Sequence, residues 1–270
     1  MDLGLRGAAV VVSGGSKGMG RAAAEVIAAE GAKVAVLARG LAPLEETVRA
    51  LRDLGAADAV GLRADLGDRA AVDAAFEEVG GRWGRLEVLI NAAGPTDVGV
   101  GRTFDELDDA EWHATLDIGL VAAARCARAA LPWLRRAEWA RIINVSAHSV
   151  RRQSPGLVAY TAAKAALTSF SKNLSQTLAP EGILVNTVSP GSFLSEGMKN
   201  YLAALPPERT VADGDLVAAM RIIGEDFGHP ARLGRVALPT EIGPVIAFLA
   251  SRSNTYMTGA DINVDGGSDF

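Results

Sequence analysis

The sequence predicts an α/β fold, a single doubly wound parallel sheet of about seven strands with helices on both faces. Short apolar runs of strand length alternate with longer segments that carry helix formers at three- and four-residue spacing. The runs are continuously apolar, as expected for strands covered on both faces. No linker, repeat or low-complexity tract interrupts the 270 residues, so one domain over residues 1–270 is the simplest organisation.

The strands are predicted from runs rich in valine, leucine and isoleucine. These runs lie at 8–12, 33–38, 59–62, 86–90, 141–145, 183–188 and 261–264. The helical segments between them lie at 21–30, 44–54, 69–79, 112–134, 158–178 and 241–250. Parallel strands need crossover connections, so we expect these helices to cross between strands in the right-handed sense.

Composition narrows the functional classes. The net charge of −5 argues against nucleic acid as the main partner. Cys126 is the single cysteine, which excludes an internal disulfide and suits a reducing cytoplasm. The N-terminal segment lacks a signal-peptide pattern, and its apolar run at 8–12 is far shorter than the roughly 20 residues that span a bilayer. We therefore expect a cytoplasmic protein without a membrane partner.

A glycine-rich segment, VVSGGSKGMG, follows the first predicted strand and opens the first helix. Gly14, Gly18 and Gly20 permit positive φ angles and close approach of a pyrophosphate to the backbone. The following helix offers free N–H groups and the positive end of its dipole. The spacing is G-x-x-x-G-x-G rather than the commoner G-x-G-x-x-G. In this context the segment predicts a dinucleotide site.

The end of the second strand indicates which dinucleotide binds. A cofactor without a 2′-phosphate is usually recognised by a carboxylate there. This chain has Arg39 at that position and Lys17 in the glycine loop. A 2′-phosphate between the two would find matching charges, so we expect NADP(H) rather than NAD(H). The alternative is that both are solvated surface charges.

Tyr160 and Lys164 form a pair with i, i+4 spacing, which places them on one helix face. A tyrosine with its ordinary pKa of about 10 is a poor acid–base group near neutrality. We expect the Lys164 ammonium to lower the pKa of Tyr160. The pair would then provide a group suited to proton transfer near neutral pH.

Six motifs occur in a fixed order along the chain. They are SGGSKGMG at 13–20, ADL at 64–66, NAAG at 91–94, YTAAK at 160–164, VNTVSPG at 185–191 and TGADINVDGG at 258–267. With them the chain resembles the short-chain dehydrogenase/reductase family nearly end to end, and is similar to its 3-oxoacyl-[acyl-carrier-protein] reductase-like members. The resemblance implies a Rossmann-like fold and hydride transfer between nicotinamide and a ketone or secondary alcohol.

The resemblance also implies roles for individual residues. The 64–66 motif would contact adenine, the 91–94 loop would border the cofactor and steady the sheet, and Lys164 would hold the ribose hydroxyls. Pro190 and Gly191 would lie beside the nicotinamide, with Phe193 and Ser195 near its carboxamide. No metal is expected. The expected cofactor-binding residues are Gly14, Ser16, Lys17, Gly18, Met19, Gly20, Arg39, Asp65, Leu66, Asn91, Ala92, Ala93, Gly94, Tyr160, Lys164, Pro190, Gly191, Phe193 and Ser195.

The family's serine, which orients the substrate oxygen, usually stands about thirteen residues before the tyrosine. That position is Ala147 in this chain. We expect Ser146, one residue earlier, to serve beside Tyr160 and Lys164 as the third catalytic residue, with Ser149 as the alternative. His148 is expected to be an exposed loop residue, although it could line the pocket.

A second departure from the family is Gly119, which occupies the place of an asparagine that helps to hold a water for proton relay. A water could fill the gap. Together with Ala147, this departure leaves a second function open: an NADP(H)-binding protein with little turnover that acts as a regulator or scaffold. The intact Tyr160, Lys164 and glycine loop favour the enzyme.

A segment at about 195–235 corresponds to the family's substrate lid. Its apolar residues recur at helical spacing, so we expect it to cover a bulky apolar substrate such as a 3-oxoacyl chain, a steroid or a polyketide-like ring. The alternative is packing on a neighbouring subunit. Small residues at 121–130 and 158–178 also suggest a homo-oligomer, a dimer or tetramer, unless they only pack on the sheet. The apolar lid residues are Met198, Tyr201, Leu202, Leu205, Met220, Ile222, Ile223 and Phe227.

Overall fold

A computed structural model of the protein describes residues 2–95, 102–228 and 230–268. Within these ranges seven strands form one parallel sheet, in the order β3-β2-β1-β4-β5-β6-β7. The predicted fold class is confirmed, and each predicted apolar run overlaps one strand. The strands are β1 (Ala9–Ser13), β2 (Lys33–Ala38), β3 (Asp58–Arg63), β4 (Val88–Asn91), β5 (Ala140–Val145), β6 (Ile183–Pro190) and β7 (Asp261–Val264).

Helices cover both faces of the sheet. Val10 and Val12 pack into a core with α1, α2 and α9, whereas Ala9 and Val11 point to a core with α3 and α5, because side chains alternate along a strand. None of the helices in the described ranges has both the length and the apolar character that a bilayer crossing requires. The helices are α1 (Gly18–Ala29), α2 (Leu41–Asp53), α3 (Arg69–Trp83), α4 (Asp109–Leu116), α5 (Ala122–Leu134), α6 (Val158–Leu178), α7 (Glu196–Ala203), α8 (Leu216–Phe227) and α9 (Pro239–Leu249).

The segment predicted as a helix at 112–134 is helical throughout, but it is not α-helical throughout. It is divided by a π-helical turn at Asp117–Val121 between α4 and α5. Gly119 lies in this turn, and a Cβ atom added there would lie 2.7 Å from Cβ of Ala163 on α6. The glycine therefore allows the two helices to approach closely, which the period of apolar residues alone does not reveal.

A chain of buried polar side chains crosses the middle of the sheet. Ser13 donates to Oδ1 of Asn91 at 3.1 Å, and Nδ2 of Asn91 donates to Oδ1 of Asn144 at 2.9 Å. Asn144 in turn donates to Ser171 on α6 at 2.8 Å. An unpartnered buried polar group costs about 1–3 kcal/mol, so this chain fixes the register of β1, β4 and β5 and the position of α6.

Gly80 on α3 packs directly against Trp133 on α5. A Cβ atom at this residue would lie 2.0 Å from the ring of Trp133 on α5, and the Arg136 guanidinium lies 4.2 Å from the centre of that ring. We expect Gly80→Ala to lower the free energy of unfolding by about 1–3 kcal/mol because the ring has to move. Chemical denaturation measures the change.

The neighbouring Gly81 provides the matched control. It lies in the same helix, but a Cβ atom there would have no neighbour within 4 Å. Gly81→Ala is expected to raise the free energy of unfolding by up to about 1 kcal/mol, because alanine favours a helix over glycine. Equal effects of the two substitutions would contradict close packing at Gly80.

Candidate active site

The glycine loop follows β1 at the edge of the sheet where the strands end. Gly14 and Gly18 have φ angles of 72° and 55°, in the left-handed region. A Cβ atom on Gly14 would lie 2.6 Å from the backbone nitrogen of Ala93, and one on Gly20 would lie 2.5 Å from the carbonyl oxygen of Gly14. These glycines therefore let the loop close against the 91–94 segment after β4.

Helix α1 begins without a side-chain cap. Lys17 is its N-cap residue and makes no capping hydrogen bond, and the first turn carries no acidic residue. In contrast, Asp68 and Asp108 cap α3 and α4. Uncapped N–H groups at a helix start can bind the oxygens of a phosphate, so the loop and α1 fit a dinucleotide pyrophosphate.

Three positive side chains lie in this loop and at the carboxyl ends of the two neighbouring strands, and we call them the glycine-loop cluster. Lys17 and Arg39 are exposed, and the sequence prediction paired them. The structure adds Arg63, whose Nε donates to the carbonyl of Arg39 at 3.2 Å. In the described part of the chain none of the three lies within 4.0 Å of a carboxylate. Arg63 ends β3, which pairs with β2, so only the strand order could have revealed it.

Tyr160 and Lys164 lie in the first two turns of α6. Lys164 is buried, and its Nζ donates to the carbonyl of Val145 at 2.7 Å. A Cβ atom on Gly94 would lie 2.9 Å from the same Nζ. The ammonium group therefore reaches from α6 to the end of β5 and to the loop that contacts the glycine loop.

The expected lowering of the Tyr160 pKa is not found. Burial raises the pKa of Tyr160 to about 12, because the phenolate loses hydration. Burial also lowers the pKa of Lys164 to about 8, because an ammonium is destabilised in the same way. Tyr160 is therefore protonated near neutral pH, which suits a proton donor.

The lowered pKa of Lys164 can be measured directly. In protein labelled at lysine Cε with ¹³C, we expect one of the five lysine resonances to titrate near pH 8. The physical reason is the loss of hydration in its buried position. The resonance is assigned by its disappearance in Lys164→Met. If that resonance titrated at the ordinary lysine value of about 10.4, burial would not be decisive.

Ser146 lies away from the phenol end of Tyr160. Its hydroxyl donates to the carbonyl of Lys164 at 3.0 Å and lies 2.7 Å from the hydroxyl of Thr168. Thr168 follows Tyr160 by eight residues, which is roughly 12 Å along a helix axis. Side chains on a helix lean towards its N-terminus, so we expect the phenol of Tyr160 to lie towards the start of α6. The geometry therefore does not favour Ser146 as the serine beside Tyr160.

Ser149 lies level with the start of α6. It is buried and accepts a hydrogen bond from Thr161, the neighbour of Tyr160, at 3.3 Å. His148 is also buried, so the expectation of an exposed loop histidine is wrong. Its Nδ1 lies 3.2 Å from the carbonyl of Pro190 and donates to it, because a carbonyl only accepts. The turn after β5 thus packs inward and brings Ser149 to the first turn of α6, which carries Tyr160.

The chain matches a family of known proteins over nearly its whole length. A family model described as enoyl-(acyl carrier protein) reductase matches residues 14–269. The chain belongs to the short-chain dehydrogenase/reductase family. The predicted family and enzyme class, an oxidoreductase of this kind, are confirmed.

Three similar members of the family extend over almost the whole chain. The short-chain reductase protein NovJ of Streptomyces niveus is 34% identical and covers 95% of this chain and 92% of its own. The 3-oxoacyl-[acyl-carrier-protein] reductase FabG of Escherichia coli is 31% identical, with 97% of each chain covered. The structure of L-sorbose reductase from Gluconobacter frateurii with NADPH and L-sorbose is 31% identical, covers 100% and 99% of the two chains, and has a TM-score of 0.88.

Other residues that the family resemblance assigned to the cofactor have clear structural partners. Leu66 is buried in the core and its carbonyl accepts from Arg125 at 3.1 Å, whereas Asp65 is exposed and accepts from the backbone of Gly67 at 2.9 Å. Asn91 belongs to the buried polar chain. Ser195 caps α7 by accepting from the backbone of Met198 at 3.0 Å. These contacts are structural.

The remaining departure from the family is Gly119. A water in place of the missing asparagine side chain stays a prediction. Cβ of Ala163 lies 2.7 Å from the position that a Cβ atom of residue 119 would take. Helix α6 therefore occupies the space in which a side chain at residue 119 would begin.

Proposed function

We propose that this short-chain dehydrogenase/reductase interconverts a ketone and a secondary alcohol with NADP(H) as its cofactor. One observation carries the proposal. The glycine loop contacts the 91–94 loop at Ala93, and the ammonium of Lys164 lies against Gly94 and leads back to Tyr160 one turn earlier. The residues suited to holding a dinucleotide and the residues suited to moving a proton are therefore contiguous.

The residues that would contact successive parts of NADP(H) follow one another along the carboxyl ends of the strands. The first turn of α1 would hold the pyrophosphate, and Lys17, Arg39 and Arg63 would hold the 2′-phosphate. Lys164 would hold the ribose hydroxyls. When bound, the nicotinamide supplies or accepts the hydride. The NADPH bound to L-sorbose reductase supports the same cofactor class for this chain.

Tyr160 is proposed to give its proton to the substrate oxygen during reduction. Its raised pKa keeps the phenol protonated near neutral pH, where oxidation of an alcohol would need the phenolate. The Lys164 ammonium, one turn along α6, would stabilise the phenolate that remains after the transfer. The protonated phenol therefore suits the reduction of a carbonyl near neutral pH.

Ser149, rather than Ser146, is proposed to orient the substrate oxygen. We expect Ser149→Ala to lower kcat/KM for the ketone by roughly tenfold, the loss of one hydrogen bond worth about 1.5 kcal/mol in the transition state. Ser146→Ala is the matched control, because its hydroxyl bonds to the carbonyl of Lys164. A larger loss in Ser146→Ala than in Ser149→Ala would reverse the assignment.

The segment at about 195–235 is proposed to be a lid over a bulky apolar substrate. It contains α7 and α8, and Met220 and Ile223 form a small apolar cluster with Met198 and Leu202. Tyr201 packs on Phe227 with ring centres 5.5 Å apart. Much of the apolar surface of the segment is therefore buried within the segment itself. The remaining apolar surface is available to a substrate or a neighbouring subunit.

The proposed activity is tested by NADPH consumption with a panel of ketones. The panel contains a 3-oxoacyl thioester, a steroid ketone, a polyketide-like ring ketone and L-sorbose. We expect turnover of at least one of the three apolar ketones and a lower kcat/KM for L-sorbose. Tight NADPH binding without turnover of any ketone would instead favour the regulator or scaffold.

The protein is further proposed to be a dimer or tetramer. Ala159 and Ala163 on α6 are buried within the chain, so part of the small-residue face serves internal packing. Val121, next to α5, is exposed. Sedimentation velocity tests the proposal, and a monomer at micromolar concentration would contradict it.

A further inference from the structure

A polar cleft of about 430 Å³ lies at the edge of the sheet opposite the candidate active site. It opens beside the residues that lead into β1, β4 and β5. Four arginines and two glutamates line it, which gives a local charge of +2 in a chain whose net charge is −5. Its charged residues are Arg6, Arg85, Glu87, Arg136, Glu138 and Arg252.

The two glutamates leave much of this positive charge uncompensated. Glu87 is buried, pairs with Arg85, and accepts from the backbone of Ala9 at 2.7 Å, so it is committed to the fold. Glu138 pairs with Arg252 at 2.8 Å, but both side chains are more than half exposed. Such surface pairs contribute little and rearrange readily, so Arg252 can turn to a ligand.

Two arginines of the cleft have no acidic partner. In the described ranges neither Arg6 nor Arg136 lies within 4.0 Å of a carboxylate. The guanidinium of Arg136 is held over the ring of Trp133, with 4.2 Å from its carbon to the ring centre. Both arginines retain the planar set of N–H donors that binds a phosphate or carboxylate in bidentate fashion.

A buried arginine, Arg141, lies behind the cleft. Trp139 lines the cleft, and the guanidinium of Arg141 lies 5.2 Å from the centre of its ring. Arg141 is 4% exposed and is bonded to backbone carbonyls alone, at Ala140 and Asn254, and its Nε has no partner in the described part of the chain. A desolvated cation without a carboxylate raises the positive potential around it.

We propose that this cleft is a second binding site, for a small polyanion such as a phosphate ester. Arg6 and Arg136 bind the anionic groups, Arg252 turns in to join them, and Trp139 forms an apolar wall for the rest of the ligand. The site is separate from the proposed cofactor site, because it lies at the amino ends of the strands while the glycine loop follows the carboxyl end of β1.

Pyrophosphate is the probe for this site. It is titrated by calorimetry into protein saturated with NADPH, which keeps the glycine loop filled. The change in tryptophan fluorescence that is lost in Trp139→Phe gives a second readout. We expect saturable binding that weakens as salt is raised, and at least a tenfold loss of affinity in the double variant Arg6→Ala/Arg136→Ala. The double variant Arg6→Lys/Arg136→Lys should lose less, because it keeps the charge.

Arg128→Ala is the control, because Arg128 is an exposed arginine of α5 outside the cleft. It should bind pyrophosphate like the parent protein. Equal affinity in the Arg6→Ala/Arg136→Ala variant, absence of saturable binding, or acetate binding as tightly as pyrophosphate would overturn the proposal. The site does not depend on turnover, so failure of the ketone assay would leave this result intact.

Discussion

Replacing Tyr160 by phenylalanine is expected to lower kcat for ketone reduction by roughly 10² to 10⁴, the contribution typical of general acid catalysis. The phenol is the acidic group at the start of α6, and its raised pKa keeps it protonated for donation near neutral pH. Phenylalanine preserves the ring and removes only the hydroxyl. Steady-state kinetics with NADPH and the best ketone of the panel measure the change.

The control for this substitution is cofactor binding. The proposed NADP(H) contacts lie mainly at the glycine loop, Lys164 and the cluster of Lys17, Arg39 and Arg63, so the Kd for NADPH should stay within about threefold, equivalent to well under 1 kcal/mol. If Tyr160→Phe reduced the ketone as fast as the parent enzyme, another group would have to donate the proton.

Removing two positive charges from the glycine-loop cluster is expected to weaken NADPH binding by about 10² or more. Lys17→Ala with Arg39→Ala removes two charge-assisted contacts to a 2′-phosphate, each worth about 1.5–3 kcal/mol. The same double variant should leave NADH binding nearly unchanged, because NADH lacks that phosphate. Fluorescence titration of the two cofactors gives both affinities.

Arg49→Ala is the matched control for the cluster. Arg49 is an exposed arginine on α2 and makes no hydrogen bond or ion pair with Lys17, Arg39 or Arg63 in the described ranges. Its replacement should change NADPH affinity by less than twofold. Equal weakening of NADPH and NADH by the Lys17 and Arg39 substitutions would mean that the cluster does not recognise the 2′-phosphate.

The sequence predicts most of the sheet and the arrangement of its main motifs, because these depend on local patterns. Continuous apolar runs define strands buried on both faces, and the glycine loop and the Tyr160–Lys164 pair depend on spacing within one segment. The position of Arg63 beside Arg39 could be predicted only from the pairing of β3 with β2. A pattern within one segment cannot predict contacts between segments that are distant in the sequence.

The details around Tyr160 depend on packing that the residue pattern leaves open. Ser146 turns to the carbonyl of Lys164 because the chain has already left β5 there. His148 is buried because its ring bonds to the carbonyl of Pro190 on β6. The π turn at Asp117–Val121 accompanies the close contact between Gly119 and Ala163. Each of these outcomes depends on how neighbouring elements pack against one another.

The uncapped start of α1 also has a consequence for the lifetime of the protein in a cell. A bound phosphate would complete the hydrogen bonds of that first turn, so a ligand there would also stabilise the folded state. At a free concentration one hundred times its Kd, a ligand that binds only the folded state adds about 2.7 kcal/mol to stability. Depletion of that ligand would therefore expose more molecules to proteolysis, linking the abundance of the protein to the supply of its own cofactor.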